Sequence, residues 1–113
     1  SRPVSGTVAM PSTLIESRRP YSPAAAEDLM NAVHQALVDA FRIPTHDRTV
    51  RLLVHARDHF LCPPDKADPD AFTHITIDCF AGRSVDAKRA LYRAIVGRLA
   101  PLGIPADHVT VVL

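Results

Sequence analysis

The stretch SPAAAEDLMNAVHQALVDAFRIP, residues 22–44, decides the fold, because its grammar returns in SVDAKRALYRAIVGRLAPLGIP, residues 84–105. Each opens on a serine suited to cap a helix and closes on an Ile-Pro pair, which a helix does not continue through. Pro23 stands at the first helical position, where a missing N–H costs nothing. Leu29, Val33, Leu37 and Phe41, with Met30, Ala36 and Ala40, recur at helical spacing and predict an amphipathic helix over about Pro23–Phe41. In the second stretch Ala87, Leu91, Ile95 and Leu99 form the matching stripe, a helix over about Val85–Leu99 that ends in Leu102-Gly103-Ile104-Pro105. The capping serines lie 62 residues apart (22 to 84) and the prolines 61 apart (44 to 105), so the chain reads as one unit used twice.

Strand patterns flank both helices. Ser12–Ser17 alternates Thr13, Ile15 and Ser17 against Ser12, Leu14 and Glu16, and Val50–His55 is rich in Val and Leu. Thr73–Phe80 alternates in the same way, and Val109–Leu113 supplies a fourth strand. His46-Asp47-Arg48 turns the chain, while Asp58–Phe72, with Pro63, Pro64 and Pro69, is expected to be a loop or at most a short hairpin. The expected class is α+β: two tandem β-α-β units, in halves 11–57 and 72–113 joined by a linker over 58–71, forming a four-stranded mixed sheet with both helices on one face. The other face has no helix to cover it, which points to burial against copies of the same chain in a closed symmetric oligomer.

Composition excludes several functions. Thirteen Lys+Arg against twelve Asp+Glu leave a net charge of +1, with no basic surplus for a nucleic acid backbone and no polybasic block for anionic lipid. No apolar run reaches the ~20 residues of a spanning helix and no signal-peptide pattern opens the chain, so no membrane partner and a cytoplasmic location are expected. Cys62 and Cys79 read as reduced thiols, because a chain of 113 residues builds a core without a staple. The four glycines are scattered, so no phosphate loop supports a nucleotide cofactor. His55 and His59 have the i, i+4 spacing of two metal ligands, but on a strand running into a loop that spacing does not converge, and no metal is expected. Cys62 as a nucleophile would need a base such as His59 beside it, and His34 beside Val33 reads as a packed helix residue.

Met10-Pro11 opening a strand, FRIPTHDR (41–48), FAGRSVDAKRALYRAIVGRL (80–99) and LGIPADHVTVVL (102–113) together resemble the tautomerase superfamily, in its malonate semialdehyde decarboxylase-like branch. The resemblance runs from Met10 to Leu113, and G-R-S-x-x-x-K-R-x-L with I-P-x-x-D-R are its more specific parts. It implies a trimer and a cofactor-independent enzyme acting on a small 2-oxo or 3-oxo carboxylic acid by tautomerisation, decarboxylation or hydration. The chemistry it implies rests on a proline nitrogen exposed as the chain terminus, a secondary amine that takes a proton; inside a chain the same nitrogen is a planar amide. The matching residue is Pro11, preceded here by Ser1–Met10. If residues 1–10 are an added remnant, Pro11 is the catalytic amine of a domain spanning 11–113. If they are a native extension, the alternative is a catalytically inactive tautomerase-fold protein that binds or assembles.

By the same resemblance, Asp47 is the acid that orients or activates water, against a plain turn-capping role. Arg83 binds the substrate carboxylate through its planar fork. Arg18 and Arg19, after the first strand, match the place where some members hold a carboxylate-binding arginine, and they offset Ala81, which stands where the decarboxylase has a second arginine. A ferredoxin-like binding module sharing only the β-α-β repeat is the remaining alternative.

Overall fold

The structure, a computed structural model, describes residues 12–78 and 83–113. Chain order is β1 (Ser12–Ser17), α1 (Pro23–Phe41), β2 (Thr49–Val54), β3 (Thr73–Asp78), α2 (Val85–Leu99) and β4 (Val109–Val112). The sheet order is β2-β1-β3-β4. β1 and β2 are parallel, as are β3 and β4, so each half is a β-α-β unit, and the halves meet through the antiparallel β1–β3 pair, with Ile15 opposite Ile75. β2 begins one residue earlier than the sequence pattern suggests and stops at Val54, although the His55 N–H still reaches the Ser17 carbonyl at 2.8 Å. The last expected residues of the third strand, Cys79 and Phe80, lie outside the described residues.

Both helices form where their caps and stripes require. The Ser22 hydroxyl accepts from the Ala25 N–H at 3.2 Å, and the Ser84 hydroxyl from the Ala87 N–H at 3.0 Å. Leu29, Val33, Ala36 and Leu37 of α1 and Leu91, Ile95 and Leu99 of α2 meet Ile15, Ile75 and Ile77 of the sheet in one core. Each large side chain fully buried there contributes roughly 2 kcal/mol of transfer free energy. Thr13, Ile15 and Ser17 take the helix-covered side of β1, so Leu14 and Glu16, with Arg51, Leu53, His74, Thr76 and Val112 in register, fall on the side no helix covers.

The repeat extends to the helix exits. Arg42 and Gly103 are both left-handed, at φ 56° and 81°, and each immediately precedes the Ile-Pro pair. The isoleucines that follow, Ile43 and Ile104, are buried, the usual apolar contact after a left-handed cap. Gly103 meets this demand at no steric cost; Arg42 does not. Arg42→Gly is therefore expected to stabilise the fold by about 0.5–1 kcal/mol in urea denaturation, and an unchanged midpoint would show that the left-handed turn carries no strain.

The linker is more ordered than its prolines suggest. Short 3-10 turns form at Arg57–His59 and Pro69–Ala71. The segment is tied down by side chains from elsewhere in the fold. Arg18 Nε donates to Asp70 at 2.8 Å and its Nη1 to the Phe60 carbonyl at 3.0 Å, and Arg57 reaches the other Asp70 oxygen at 3.1 Å. Arg19 donates to the carbonyls of Leu102 and Gly103 and lies 3.4 Å from Asp68. His108, fully buried, accepts the Asp68 N–H at Nε2.

Candidate active site

The parallel and antiparallel pairings bring three chain segments to one end of the sheet. Ser12 opens β1 there, paired with Thr49 at the start of β2 and with Asp78 at the end of β3. α1 returns to the same end, and Arg83 approaches α2 from it. Pro11, the residue before Ser12 in sequence, lies outside the described residues.

Asp47 sits in the turn between α1 and β2, its N–H bonded to the Pro44 carbonyl at 3.1 Å. Its side chain is only 7% exposed and lies 3.5 Å from the His46 imidazole. The turn thus uses the backbone of Asp47 rather than its carboxylate, whose charged neighbour among the described residues is His46. Arg83 is exposed, and Nη1 donates to the carbonyl of Phe41, the last residue of α1, at 3.2 Å. Its guanidinium carbon lies 4.7 Å from the Phe41 ring centroid. A cation at the negative end of α1 is favourable, so Arg83 has a structural role that its position before α2 concealed. Among the described residues it makes no other hydrogen bond.

The structure separates Arg18 and Arg19 from this group. They leave the far end of β1, six or more residues from Ser12, a rise of roughly 20 Å. Their donors are taken by Asp70, Asp68 and the carbonyls named above, because the linker folds back over that end of the sheet. Within a single chain both guanidiniums are engaged by the linker and by the segment after α2, where they act as clasps. Ala81 lies outside the described residues.

The remaining candidates also find places. His34 is buried in α1 and its Nε2 bonds the Thr45 carbonyl at 2.8 Å. His55 pairs with Glu16 at 3.0 Å, on the face no helix covers, while His59 is exposed in the first 3-10 turn. Burial pushes the Cys62 thiol up, with Arg18 opposing the shift. That is the wrong direction for a nucleophile. Two participants had no signal in the sequence reading: Phe41, the seat of Arg83, and His108, the anchor of the linker. Phe41 counted only as a core residue of the helical stripe.

A tandem β-α-β protein with a sheltered carboxylate and an anchored arginine at the open end of a four-stranded mixed sheet is the class these observations define. The chain belongs to the tautomerase enzyme family: that family's model matches residues 47–113, more than half of the chain. It is 24% identical over 110 residues to probable tautomerase YusQ of Bacillus subtilis (strain 168), a match covering 92% of this chain and 85% of the relative. Among solved structures it resembles FG41 malonate semialdehyde decarboxylase inhibited by 3-bromopropiolate, at a TM-score of 0.80 and 26% identity over 89% of this chain and 79% of that one. A second malonate semialdehyde decarboxylase, described with decarboxylase and hydratase activities, gives a TM-score of 0.80 and 25% identity over 90% of this chain and 81% of that one. Native fused 4-OT shares the fold, with a TM-score of 0.79 at 21% identity over 89% of this chain and 83% of that one. The family match sets aside the ferredoxin-like alternative. Among the described residues no helix is long and apolar enough to cross a membrane.

Proposed function

We propose that this chain is a cofactor-independent enzyme that moves a proton on a small 2-oxo or 3-oxo carboxylic acid, with Pro11 as the terminal amine, Asp47 as the acid that orients water or the substrate oxygen, and Arg83 as the carboxylate fork. The observation that carries this reading is that Asp47, two residues before β2, and Arg83, bonded to the last residue of α1, belong to the end of the sheet where β1 begins. The family, and relatives described as a tautomerase and as malonate semialdehyde decarboxylases, support it.

A terminal α-amine has a reference pKa near 8, so it exists in both protonation states near neutrality. In enol-to-keto conversion the protonated amine delivers its proton to the enol carbon, while the hydroxyl proton passes to Asp47 or water. In decarboxylation of a 3-oxo acid, the protonated amine polarises the ketone, the carbon–carbon bond to the carboxylate breaks, carbon dioxide leaves, and the enolate carbon takes up a proton. The uncovered sheet face, with Leu53 and Val112 nearly half exposed, supports assembly with copies of the same chain as a trimer.

The test is turnover of the enol of a simple 2-oxo acid, and of malonate semialdehyde, by the chain beginning at Pro11. Labelling with 3-bromopropiolate, an electrophilic acid, should place the added mass on the peptide that begins with Pro11. Turnover that persists when Pro11 carries residues before it, or label found only on Cys62, would overturn the proposal. Arg83→Ala is expected to raise KM about tenfold or more while kcat changes less, because the lost contact is to the unreacting carboxylate. An unchanged KM would remove Arg83 from the site.

A further inference from the structure

A cleft of about 340 Å³ lies on the outer flank of α2, floored and walled by Val85, Tyr92, Val111 and Leu113, with Lys88, Arg89 and Arg93 around it. Val85 is 62% exposed and Tyr92 43%, so the apolar wall stands open to solvent. No acidic side chain lines the cleft. Among the described residues none of the three cations makes a hydrogen bond or an ion pair; the ion pair of α2 is made by Arg98, with Asp39 at 2.7 Å on α1. Arg89 and Arg93 are also four residues apart on one helix, where like charges repel and cost stability unless an anion joins them.

We infer that this cleft binds a small carboxylic acid with a compact apolar body. The body rests on Val85, Tyr92, Val111 and Leu113, and the carboxylate is held by the Arg89 and Arg93 guanidiniums with Lys88 beside them. Charge complementarity selects an anion and the apolar floor selects its body. The volume is near the lower end for small-molecule sites, which suits a single- or double-ring acid. The cleft is distinct from the Asp47–Arg83 group: Arg83 does not line it and packs instead on Phe41 of α1, so the inference stands independently of the proposed enzyme chemistry.

The experiment is titration of the whole protein with naphthalene-2-carboxylate, followed by backbone amide NMR and calorimetry, with the uncharged naphthalene-2-carboxamide as the matched probe. Expected are shifts at Val85, Tyr92, Val111 and Leu113, an affinity about tenfold or more weaker for the amide, and a similar loss in Arg89→Gln/Arg93→Gln. Binding of the acid should weaken as salt rises. Arg83→Ala, which disables the proposed carboxylate fork, is expected to leave these shifts in place, separating this site from the other. The inference is overturned if shifts fall only around Asp47 and Arg83, if the double variant binds equally well, or if the acid fails to bind. It is equally overturned if the double variant alters the sedimentation of the protein while no probe enters, because the cleft is then covered by a second copy.

Discussion

A chain whose first residue is Pro11 is expected to turn over a 2-oxo acid enol about 10²–10⁴ times faster than the same chain carrying residues 1–10, the usual contribution of a positioned general acid–base. The physical cause is the bonding of one nitrogen. With a residue before it, the Pro11 nitrogen shares its lone pair with a carbonyl and has no useful basicity; as the terminus it is a secondary amine. Both chains keep Asp47, Arg83 and the sheet that Ser12 opens, so binding should change far less than rate. Steady-state kinetics on the two chains, each with its intact mass measured, decides the matter. Equal rates would mean that the fold has kept its acid and arginine for binding alone, and Pro11→Ala at the terminus separates the amine's contribution from that of the missing extension.

Replacing His108 by alanine is expected to cost about 3 kcal/mol, the largest stability loss foreseen for a polar residue here. His108 is fully buried, accepts the Asp68 N–H at 3.1 Å through Nε2, and therefore carries its proton on Nδ1, which donates to Asp107 at 2.7 Å. Truncation leaves a void at the entry to β4 and strands a backbone donor of the linker. Urea denaturation at fixed protein concentration measures the loss, and trypsin cleavage after Lys66 should quicken as the linker loosens. A loss no larger than that of an ordinary surface substitution would show that the arginine clasps hold the linker unaided.

A pH dependence accompanies that contact. The hydrogen bond from His108 holds the Asp107 carboxyl below the usual carboxylate range, against opposition from burial and with lesser help from the charge of Lys66. A carboxyl depressed in the folded state adds stability at pH values above its unfolded pKa, near 4, and that stability is lost as pH falls through the folded value. The acid limb of the stability profile should therefore flatten in His108→Ala. On α1, Asp39 is lowered mainly by Gln35 and then by Arg98, and supplies the same sign of dependence in both proteins.

The architecture was legible because its instructions are local. A cap serine, a stripe at helical spacing and an Ile-Pro stop each act within a few residues, and their recurrence 61–62 residues on (22 to 84, 44 to 105) announced two β-α-β units. Both helices occupy the residues so indicated, Pro23–Phe41 and Val85–Leu99. Strand ends shifted by a residue or so, since a strand ends where its partner ends and the partner lies far along the chain. The left-handed turns at Arg42 and Gly103 are also local, but only glycine advertises such a turn.

What only the tertiary structure decided is which charges are free. Arg18 and Arg19 look like available cations in sequence, yet acids and carbonyls up to 84 residues away engage both guanidiniums. Arg83 is expected from the resemblance to hold a carboxylate, and the fold seats it on the end of α1. Lys88, Arg89 and Arg93 look like an ordinary solvated helix face, and packing sets them around an apolar cleft with no acidic side chain in its lining. Secondary structure follows from interactions between near neighbours, which a sequence displays directly. A charge acquires its role from partners brought near by chain folding, and those distances exist only once the two halves of the repeat have closed on each other.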